Sequence, residues 1–354
     1  MARAAVAAGF DVAVATKVRE HGRNIVDEGV RLIPLETERG SLGLFEAVSG
    51  VVKMAEIIRR EKPDIVHCIG LRMVLLGGFA ARITRAKKVL LAPTGLGHLW
   101  ISDRFFERTL RILVRFVIGR ILVGRDVHFL FENREDPAEF GLDPNASCVT
   151  IIGGVGVAAE KFPPVPEPSD PSDPSIRVAV VSRMLVPKGI VETVAAVQLA
   201  RAKGADITLH LVGVPDPTNP TSIALSDLLA WSKLEGIFWH GRAESIAKVW
   251  KEHHIAILLS YREGLPVSLV EAAATGRPIV TTDVVGCREV VRDGVEGFLV
   301  PKGDAVQAAE RLLKLARDPE LRKQMGQAAN RRFQERFTAQ VVARTITSLY
   351  LRLS

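Results

Sequence analysis

The sequence predicts an α/β protein made of two doubly wound domains. Short runs rich in branched and aromatic residues alternate with longer helical patterns along nearly the whole chain, as in parallel sheets. A proline-rich segment, KFPPVPEPSDPSDPSIR at 161–177, divides these runs into two sets. The chain of 354 residues is also long for a single hydrophobic core. We therefore predict two Rossmann-like domains that face a cleft, with ligand loops at the carboxyl ends of their strands.

Ten runs are predicted as strands, five in each half. They are 12–16, 31–35, 64–70, 127–133 and 147–154, then 176–183, 207–213, 236–241, 255–261 and 278–283. The predicted divisions are an N-terminal domain at 1–160, a linker at 161–176, a C-terminal domain at 177–336 and a last helix at 337–354. The last helix is amphipathic, so we expect it to pack back towards the N-terminal domain.

Composition excludes several classes of protein. Cys68, Cys148 and Cys287 are scattered singly, which indicates neither a disulfide framework nor a zinc site and suits a reducing cytoplasm. No apolar run reaches the roughly 18 residues of a membrane span, and Asp11 interrupts the apolar start, so we do not predict a signal peptide. The net charge of +7 predicts anionic partners such as phosphates or acidic lipid headgroups.

The segment SRMLVPKGI, at 182–190, is predicted to bind an anion. It joins a strand to a helix, and Pro187 suits the first helical turn. Unpaired amides at the helix N-terminus and the charges of Arg183 and Lys188 together suit a diphosphate. The alternative is that both are ordinary solvated basic residues.

The segment YREGLPVSLVEAAATG, at 261–276, carries two glutamates where a strand gives way to a helix. Pro266 again suits the first helical turn, and the amides of Gly264, Leu265 and Val267 would face a ligand. Glu263 and Glu271 would each accept hydrogen bonds from hydroxyl groups. Carboxylates beside a phosphate site make sense when the ligand also carries diols, as a nucleotide sugar does at its hexose and its ribose. The alternative is that Glu271 is only a charge on the helix surface.

Several segments, in their order along the chain, resemble the retaining family-four glycosyltransferases of the GT-B fold. They are SRMLVPKGI, LVGVPDPTNP, HGR and YREGLPVSLVEAAATGRPIVTTDVVGCREVVRDGVEGFLVP. The last of them looks most like the bacterial branch that builds lipid-linked or capsular oligosaccharides. PTGLGHLW, FLFENRED and IIGGVGVAAEKF in the first half are similar to that branch more weakly.

The resemblance implies a role for each of these residues. Arg183 and Lys188 would hold the donor diphosphate, and Arg242 would lie near the nucleobase. Glu263, with the backbone from Gly264 to Val267, would bind the donor hexose, and Glu271 would bind the ribose diol. The family needs no metal, and the sequence lacks a DxD motif placed after a strand.

The start of the chain departs from the family pattern. Members open with a strand and a Gly-rich loop, whereas MARAAVAAGF resembles the helix that follows them. The sequence therefore predicts an N-terminal sheet without its first strand. It also leaves open a catalytically impaired protein that binds nucleotide sugars.

Two histidines of the N-terminal half are candidates on the acceptor side. His67 ends a predicted strand, and His98 lies in the Gly-rich TGLGHLW. A packed, hydrogen-bonded core histidine is the alternative for each. Asn133 and Asp136 either line the site or cap the following helix.

The segment at 103–125 predicts a helix with a basic stripe. Arg104, Arg108, Arg111 and Arg115 recur at steps of four, three and four, among many apolar residues. Such a helix suits an anionic membrane surface, or it is a solvated arginine face over a helix packed on the sheet. We expect a cytoplasmic protein, with a peripheral position at the inner face of the plasma membrane as the open alternative.

Together with these features, the resemblance implies a retaining hexosyltransferase. It would use a UDP-sugar as donor and a lipid-linked or saccharide acceptor. We expect no cofactor and no nucleic-acid partner. An NAD-dependent oxidoreductase is disfavoured because no GxGxxG joins a strand to a helix.

Overall fold

The computed structural model describes most of the chain as two compact units. The described residues are 1–18, 29–35, 43–96, 98–101, 104–154, 156–169 and 174–354. One unit comprises Met1–Gly156 with Gln340–Ser354, and the other comprises Val157–Ala339.

Strands and helices alternate in both units. The strands of the first unit are β1 (Ala13–Thr16), β2 (Arg31–Pro34), β3 (Ile65–Ile69), β4 (Lys88–Ala92), β5 (Val127–Phe131) and β6 (Val149–Ile151). Those of the second are β7 (Ile176–Val181), β8 (Ile207–Val212), β9 (Ile237–Gly241), β10 (Ile255–Leu258), β11 (Ile279–Thr282) and β12 (Gly297–Val300).

The described helices of the first unit include the last helix of the chain. They are α1 (Ala2–Ala7), α2 (Leu44–Glu61), α3 (Leu71–Thr84), α4 (His98–Ile101), α5 (Phe105–Phe116) and α6 (Asp136–Glu139). In the second unit they are α7 (Ile190–Ala202), α8 (Leu225–Trp231), α9 (Ile246–Glu252), α10 (Val267–Thr275), α11 (Cys287–Val290), α12 (Ala305–Arg317) and α13 (Pro319–Arg336). The last helix is α14 (Ala339–Leu353).

Each of the ten predicted strand runs contains a strand, but the sequence pattern did not predict β4 and β12. The KVLLA run of β4 follows α3 closely, and four of its five residues are buried. A continuous apolar run of this kind has no alternation, so its pattern does not distinguish a central strand from a buried helix. The GFLV run of β12 is only four residues long.

The second unit has one continuous parallel sheet. Its strand order is β12-β11-β10-β7-β8-β9, with helices between successive strands, as in a doubly wound fold. From β7 the chain moves to β8 and β9 on one side, then crosses to β10 on the other side of β7. This reversal of direction lies between β7 and β10.

The described strands of the first unit form two parallel sheets. β1 pairs with β2, and a separate sheet has the order β3-β4-β5-β6. Within the described ranges, β1 and β3 therefore each have a strand partner on one side only. The N-terminal sheet is divided at this point.

The α14 helix contributes to the hydrophobic core of the first unit. Its buried residues recur at helical spacing, which places them on one face. Val342, Ile346 and Leu349 join a cluster with Leu90 of β4 and Leu130 of β5.

The proline-rich segment is held against the second unit. The Arg277 guanidinium donates hydrogen bonds to the carbonyl oxygens of Val165, at 3.2 Å, and Pro166, at 2.8 Å. Arg322 forms an ion pair of 3.0 Å with Glu167. Residues 170–173 of the predicted linker lie outside the described residues.

None of the helices in the described part of the chain combines the length and the apolar composition that crossing a bilayer requires.

Candidate active site

The strand-order reversal of the second unit brings two of the sequence segments together. β7 and β10 are parallel neighbours, with Ile255 opposite Val178 and Ala256 opposite Ala179. Their carboxyl ends therefore lie side by side. Ligands of open α/β sheets bind at such a reversal, because the loops diverge there and leave a crevice.

Lys188 and Glu263 meet at this point. The Lys188 Nζ atom lies 2.5 Å from Glu263 Oε1, although the two residues are 75 positions apart. Ser260 Oγ donates a second hydrogen bond, of 2.6 Å, to the same oxygen. The Glu263 side chain is 9% exposed and that of Lys188 is 24% exposed. The two charges therefore compensate each other at the edge of the sheet.

Arg183 has a separate partner. Its Nη1 atom lies 3.0 Å from Asp216 Oδ2, in the loop that follows β8. Thr218 donates a hydrogen bond to the other carboxylate oxygen. Both bonds hold the pKa of Asp216 below its usual range, and the bond from Thr218 has the larger effect. The Arg183 side chain is 60% exposed, so its guanidinium remains accessible.

The loop after β7 is packed tightly against the end of β10. Gly189 has a φ of +68°, and a Cβ atom there would lie 2.0 Å from the Leu259 carbonyl oxygen. The Tyr261 amide donates a 2.9 Å hydrogen bond to the Pro187 carbonyl. The Tyr261 hydroxyl donates to Glu192 at 2.7 Å, and this bond is the main reason that the pKa of Tyr261 is raised to about 12. These contacts fix Lys188 beside Glu263.

Helix α10 begins one residue later than the sequence predicts. Pro266 is the N-cap residue rather than part of the first turn. The amides of Leu269 and Val270 bond to the Pro266 carbonyl, so those of Val267 and Ser268 are donors of the helix N-terminus.

Leu265 and Pro266 are buried. Gly264, which precedes them, is partly buried. The loop is supported by Gly286, since a Cβ atom there would lie 2.6 Å from the carbonyl oxygens of Glu263 and Gly264.

Glu271 and Arg242 lie at the same sheet edge but are not joined to the Lys188–Glu263 pair by a hydrogen bond or ion pair in the described residues. Glu271 is one helical turn beyond Val267, and burial raises its pKa to about 7. A carboxyl group with this pKa can be neutral or ionised near neutral pH. Arg242 directly follows β9 and is exposed.

The structure gives His67 a packing partner. His67 Nδ1 lies 2.8 Å from the Tyr350 hydroxyl of α14, and burial lowers the pKa of His67 to about 4. The imidazole is therefore neutral near pH 7. These contacts agree with the alternative of a packed histidine, while the acceptor-side role of His67 stays a prediction. The side chain of His98 lies outside the described residues.

Asn133 and Asp136 organise the turn into α6. Asn133 Oδ1 accepts hydrogen bonds from the amides of Glu135, at 3.1 Å, and Asp136, at 2.8 Å. Asn133 Nδ2 also donates to the Asp136 carboxylate at 2.8 Å. These bonds support the capping alternative for Asn133, while Asp136, the first residue of α6, holds the Asn133 side chain in place.

Sequence reasoning missed Ser260 and Asp216 as parts of the site. Ser260 lies near the end of the run predicted as a strand, three positions before Glu263. This position at the ligand edge could have identified it from the sequence. Asp216 follows β8 at the same sheet edge, but its DPTNP context indicates a turn, which it also forms through the Asn219 amide. Only the fold shows that this turn reaches Arg183.

Among the residues that the structure describes, no group of three or more His, Cys, Asp or Glu side chains is arranged to hold a metal ion. The positive charge at the candidate site comes from Lys188 and Arg183.

Comparison with known proteins assigns the family. Residues 175–318 match a model described as "Glycosyl transferases group 1", and residues 1–118 match one described as "Glycosyl transferase 4-like". The first of these matches includes Arg183, Lys188, Glu263 and Glu271.

Two curated relatives and one solved structure are similar over most of their lengths. An N,N'-diacetylbacillosaminyl-diphospho-undecaprenol alpha-1,3-N-acetylgalactosaminyltransferase of Campylobacter jejuni is 28% identical, over 86% of this chain and 81% of its own. The capsular polysaccharide biosynthesis glycosyltransferase CapM of Staphylococcus aureus is 23% identical, over 96% and 90%. The structure of Anabaena Alr3699/HepE in complex with UDP and glucose superposes with a TM-score of 0.75 at 17% identity, over 99% of this chain and 94% of that one. The chain belongs to the family-four glycosyltransferases and has the GT-B fold.

Proposed function

We propose that the protein transfers a hexose from a UDP-sugar to a lipid-linked or saccharide acceptor, with retention at the anomeric carbon, in bacterial surface polysaccharide or oligosaccharide synthesis. The names of the two relatives support an acceptor of this class, since one names a diphospho-undecaprenol substrate and the other capsular polysaccharide. The complex of HepE with UDP and glucose supports the donor class.

The observation that carries the proposal is the meeting of Lys188 and Glu263 at the strand-order reversal. A donor diphosphate would attract the Lys188 ammonium, and the Glu263 carboxylate would then accept hydrogen bonds from hexose hydroxyls. Lys188 and Arg183 would neutralise the negative charge that grows on the diphosphate as the glycosidic bond breaks. The N-terminal amides of α10 would add donors beside the same charge.

The remaining donor contacts follow the same edge of the sheet. Glu271 would accept from the ribose diol, and the backbone from Gly264 to Val267 would contact the hexose and diphosphate. Arg242 would lie near the nucleobase, at the end of β9.

Retention can proceed without a protein nucleophile. In a transfer on one face of the sugar, an oxygen of the leaving diphosphate accepts the proton of the acceptor hydroxyl as the new bond forms. We also propose that no divalent cation or other cofactor is required, because Lys188 and Arg183 can supply the positive charge that the leaving group needs. Turnover that stops with EDTA and returns with magnesium would contradict this part of the proposal.

The test is transfer across a panel of UDP-sugars to diphospho-undecaprenol-linked and free saccharide acceptors. NMR of the product gives the anomeric configuration. Lys188→Gln should lower turnover by about a hundredfold or more. The matched control is Lys323→Gln, a change of the same type on the exposed side of α13. The proposal fails if Lys188→Gln keeps wild-type turnover or if the product is inverted.

We further propose that the protein works in the cytoplasm, peripherally at the inner face of the membrane, through α5. The outward face of this helix is apolar: Phe105 is 86% exposed, Ile112 67% and Phe116 56%. Phe106 and Leu113 are also exposed beside them. The arginines form a stripe along one flank of this face rather than its centre. An apolar face with a basic flank suits insertion at an anionic lipid surface.

The divided sheet of the first unit favours a second candidate, a protein that binds nucleotide sugars but transfers them poorly. β1 and β3 each have one strand partner in the described ranges, so the described strands of this unit do not form one continuous sheet. This candidate predicts UDP binding by calorimetry together with negligible transfer and donor hydrolysis. Efficient transfer would rule it out.

A further inference from the structure

A pocket of about 300 Å³ lies in the first unit, at the amino ends of β4 and β5. Its walls are the last turns of α3 and the segment that precedes β5. This edge of the sheet is opposite the carboxyl ends of the strands, where α/β enzymes bind their substrates. The volume is at the lower end of the range for small-molecule sites.

The floor of the pocket is apolar. Ala81, Val89, Leu91 and Leu122 line it, and all four are buried. A free inorganic anion gains nothing from such a floor, because burial against apolar side chains removes its hydration without replacing it. An alkyl chain gains free energy from the same contact.

The rim of the pocket is cationic. Arg82, Arg85 and Arg125 line it and are exposed. Within the described ranges, none of the three guanidinium groups forms an ion pair or a side-chain hydrogen bond. The carboxylate of Asp126, which also lines the pocket, instead accepts a 2.7 Å bond from Lys88. The rim therefore keeps an excess of positive charge, and guanidinium groups bind phosphates well.

The pocket adjoins the C-terminal end of the α5 segment. A π-helical turn, Val117–Ile121, continues α5, and Leu122 of the pocket floor follows directly. The exposed apolar face of α5 thus leads along one continuous helical segment towards the arginine rim.

We propose that this pocket binds a single-chain membrane amphiphile, with its phosphate among the three arginines and the first part of its chain on the apolar floor. The proposal does not depend on the donor site, which lies in the second unit. It adds an anchoring ligand at the edge of the sheet opposite the carboxyl ends of the strands.

The test uses isothermal titration of the full chain with dodecyl phosphate below its critical micelle concentration. Inorganic phosphate supplies the anion without the chain, and dodecyltrimethylammonium supplies the chain with the opposite charge. We expect saturable binding of one dodecyl phosphate and much weaker binding of the other two probes.

Two variants locate the binding. Arg82→Gln/Arg85→Gln should raise the dissociation constant for dodecyl phosphate about tenfold or more, because hydrogen bonds to a charged group are lost. The matched control, Lys323→Gln/Arg331→Gln, removes two exposed charges from α13 and should leave binding unchanged.

Gly124→Leu should block the pocket without unfolding the protein. Gly124 lines the pocket, and a Cβ atom there would have its nearest contact at an ordinary 3.6 Å, with Val127. A thermal midpoint near that of the wild type, with binding lost, would support the proposal. Unchanged binding by Gly124→Leu and the arginine variant would overturn it, as would equal affinity for inorganic phosphate or for the cationic amphiphile.

Discussion

Substitutions of Glu263 and Glu271 should affect steady-state kinetics differently, because the proposed function assigns Glu263 to the reacting sugar and Glu271 to the ribose. Glu263→Gln should lower turnover by about a hundredfold, since a contact that strengthens in the transition state is lost. Glu271→Gln should raise the Michaelis constant for the donor and leave turnover closer to that of the wild type. Both constants are measured with the same UDP-sugar.

The reverse outcome would exchange the two placements. If Glu271→Gln loses turnover while Glu263→Gln changes only donor affinity, the hexose and the ribose are reversed along α10. Wild-type constants for both variants would place the donor site elsewhere.

The partly buried carboxyl group of Glu271 should also make stability depend on pH. Burial raises its pKa from the ordinary 4.5 to about 7. Between these values the folded state holds a proton that the unfolded chain has lost. The contribution of Glu271 to the free energy of unfolding therefore falls as pH rises through this window, by about 3 kcal/mol in total.

Glu271→Gln removes this titration. The difference in unfolding free energy between variant and wild type, from urea denaturation at several pH values, should increase in favour of the variant between pH 4.5 and 7. A constant difference would show that Glu271 titrates with an ordinary pKa.

The sequence identified most of the candidate residues but not their pairing. Arg183, Lys188 and Glu263 were found because strand-to-helix junctions place side chains at the ligand edge of a sheet. Lys188 and Glu263 are 75 positions apart, so no local pattern predicts that they form an ion pair. The pairing depends on β7 and β10 being neighbours, which follows from the order of all six strands.

Among the structural elements, the turn from β7 to α7 is tightly constrained by its neighbours. Gly189→Ala combines a positive φ with a Cβ atom 2.0 Å from the Leu259 carbonyl oxygen. We expect a loss of about 4 kcal/mol or more in unfolding free energy.

Gly303→Ala is the matched control for this turn. Gly303 has a φ of +80°, and a Cβ atom there would meet nothing within 4 Å, so only backbone strain of about 1–2 kcal/mol is expected. Equal losses for the two variants, measured by chemical denaturation, would show that the Gly189 turn adjusts freely.

The outward face of α5 should bind lipid through both of its parts. Phe105→Ser/Phe116→Ser should weaken binding to vesicles about tenfold or more, because each phenylalanine buries apolar area at the surface. Changing the four arginines of the stripe, Arg104, Arg108, Arg111 and Arg115, to glutamine should reduce the preference for acidic vesicles, by about 1 kcal/mol for each contact made.

The control for α5 is Leu225→Ser/Leu229→Ser on α8, where both leucines are about half exposed. It should co-sediment with vesicles as the wild type does. Vesicle binding that is the same for all variants would leave α5 as a solvated helix.

Sequence periodicity predicted the helices and strands that have one buried face and one exposed face. It found the basic stripe of α5 but not its orientation, because Val114 and Ile118 are buried while equally apolar neighbours are exposed. Hydrophobicity alone does not decide which of two apolar faces meets the core. β4 and β12 were missed for a related reason, since buried strands lack alternation.

For the whole molecule, the fold class was predictable because alternating strands and helices leave few topologies open. The separation into two units was also expected, from chain length and a proline-rich segment. The binding of that segment by Arg277 and Arg322 was not predictable, because both arginines are distant in sequence from their partners.

The difference between the sheets of the two units should appear in amide hydrogen exchange. In a parallel sheet, successive residues bond alternately to the two neighbouring strands, so a strand with one partner leaves every second amide without a strand acceptor. β7 and β10 have partners on both sides, whereas β1 and β3 have one each in the described residues. Mass spectrometry should therefore find slow exchange, limited by global opening, in β7 and β10, and faster exchange through local opening in β1 and β3.

Equal protection of β3 and β10 would mean that the open edge of β3 is covered in solution. If the faster exchange is observed, the second unit retains its structure at denaturant concentrations that already open the edge strands of the first, and partial unfolding begins beside His67 rather than at Lys188 and Glu263.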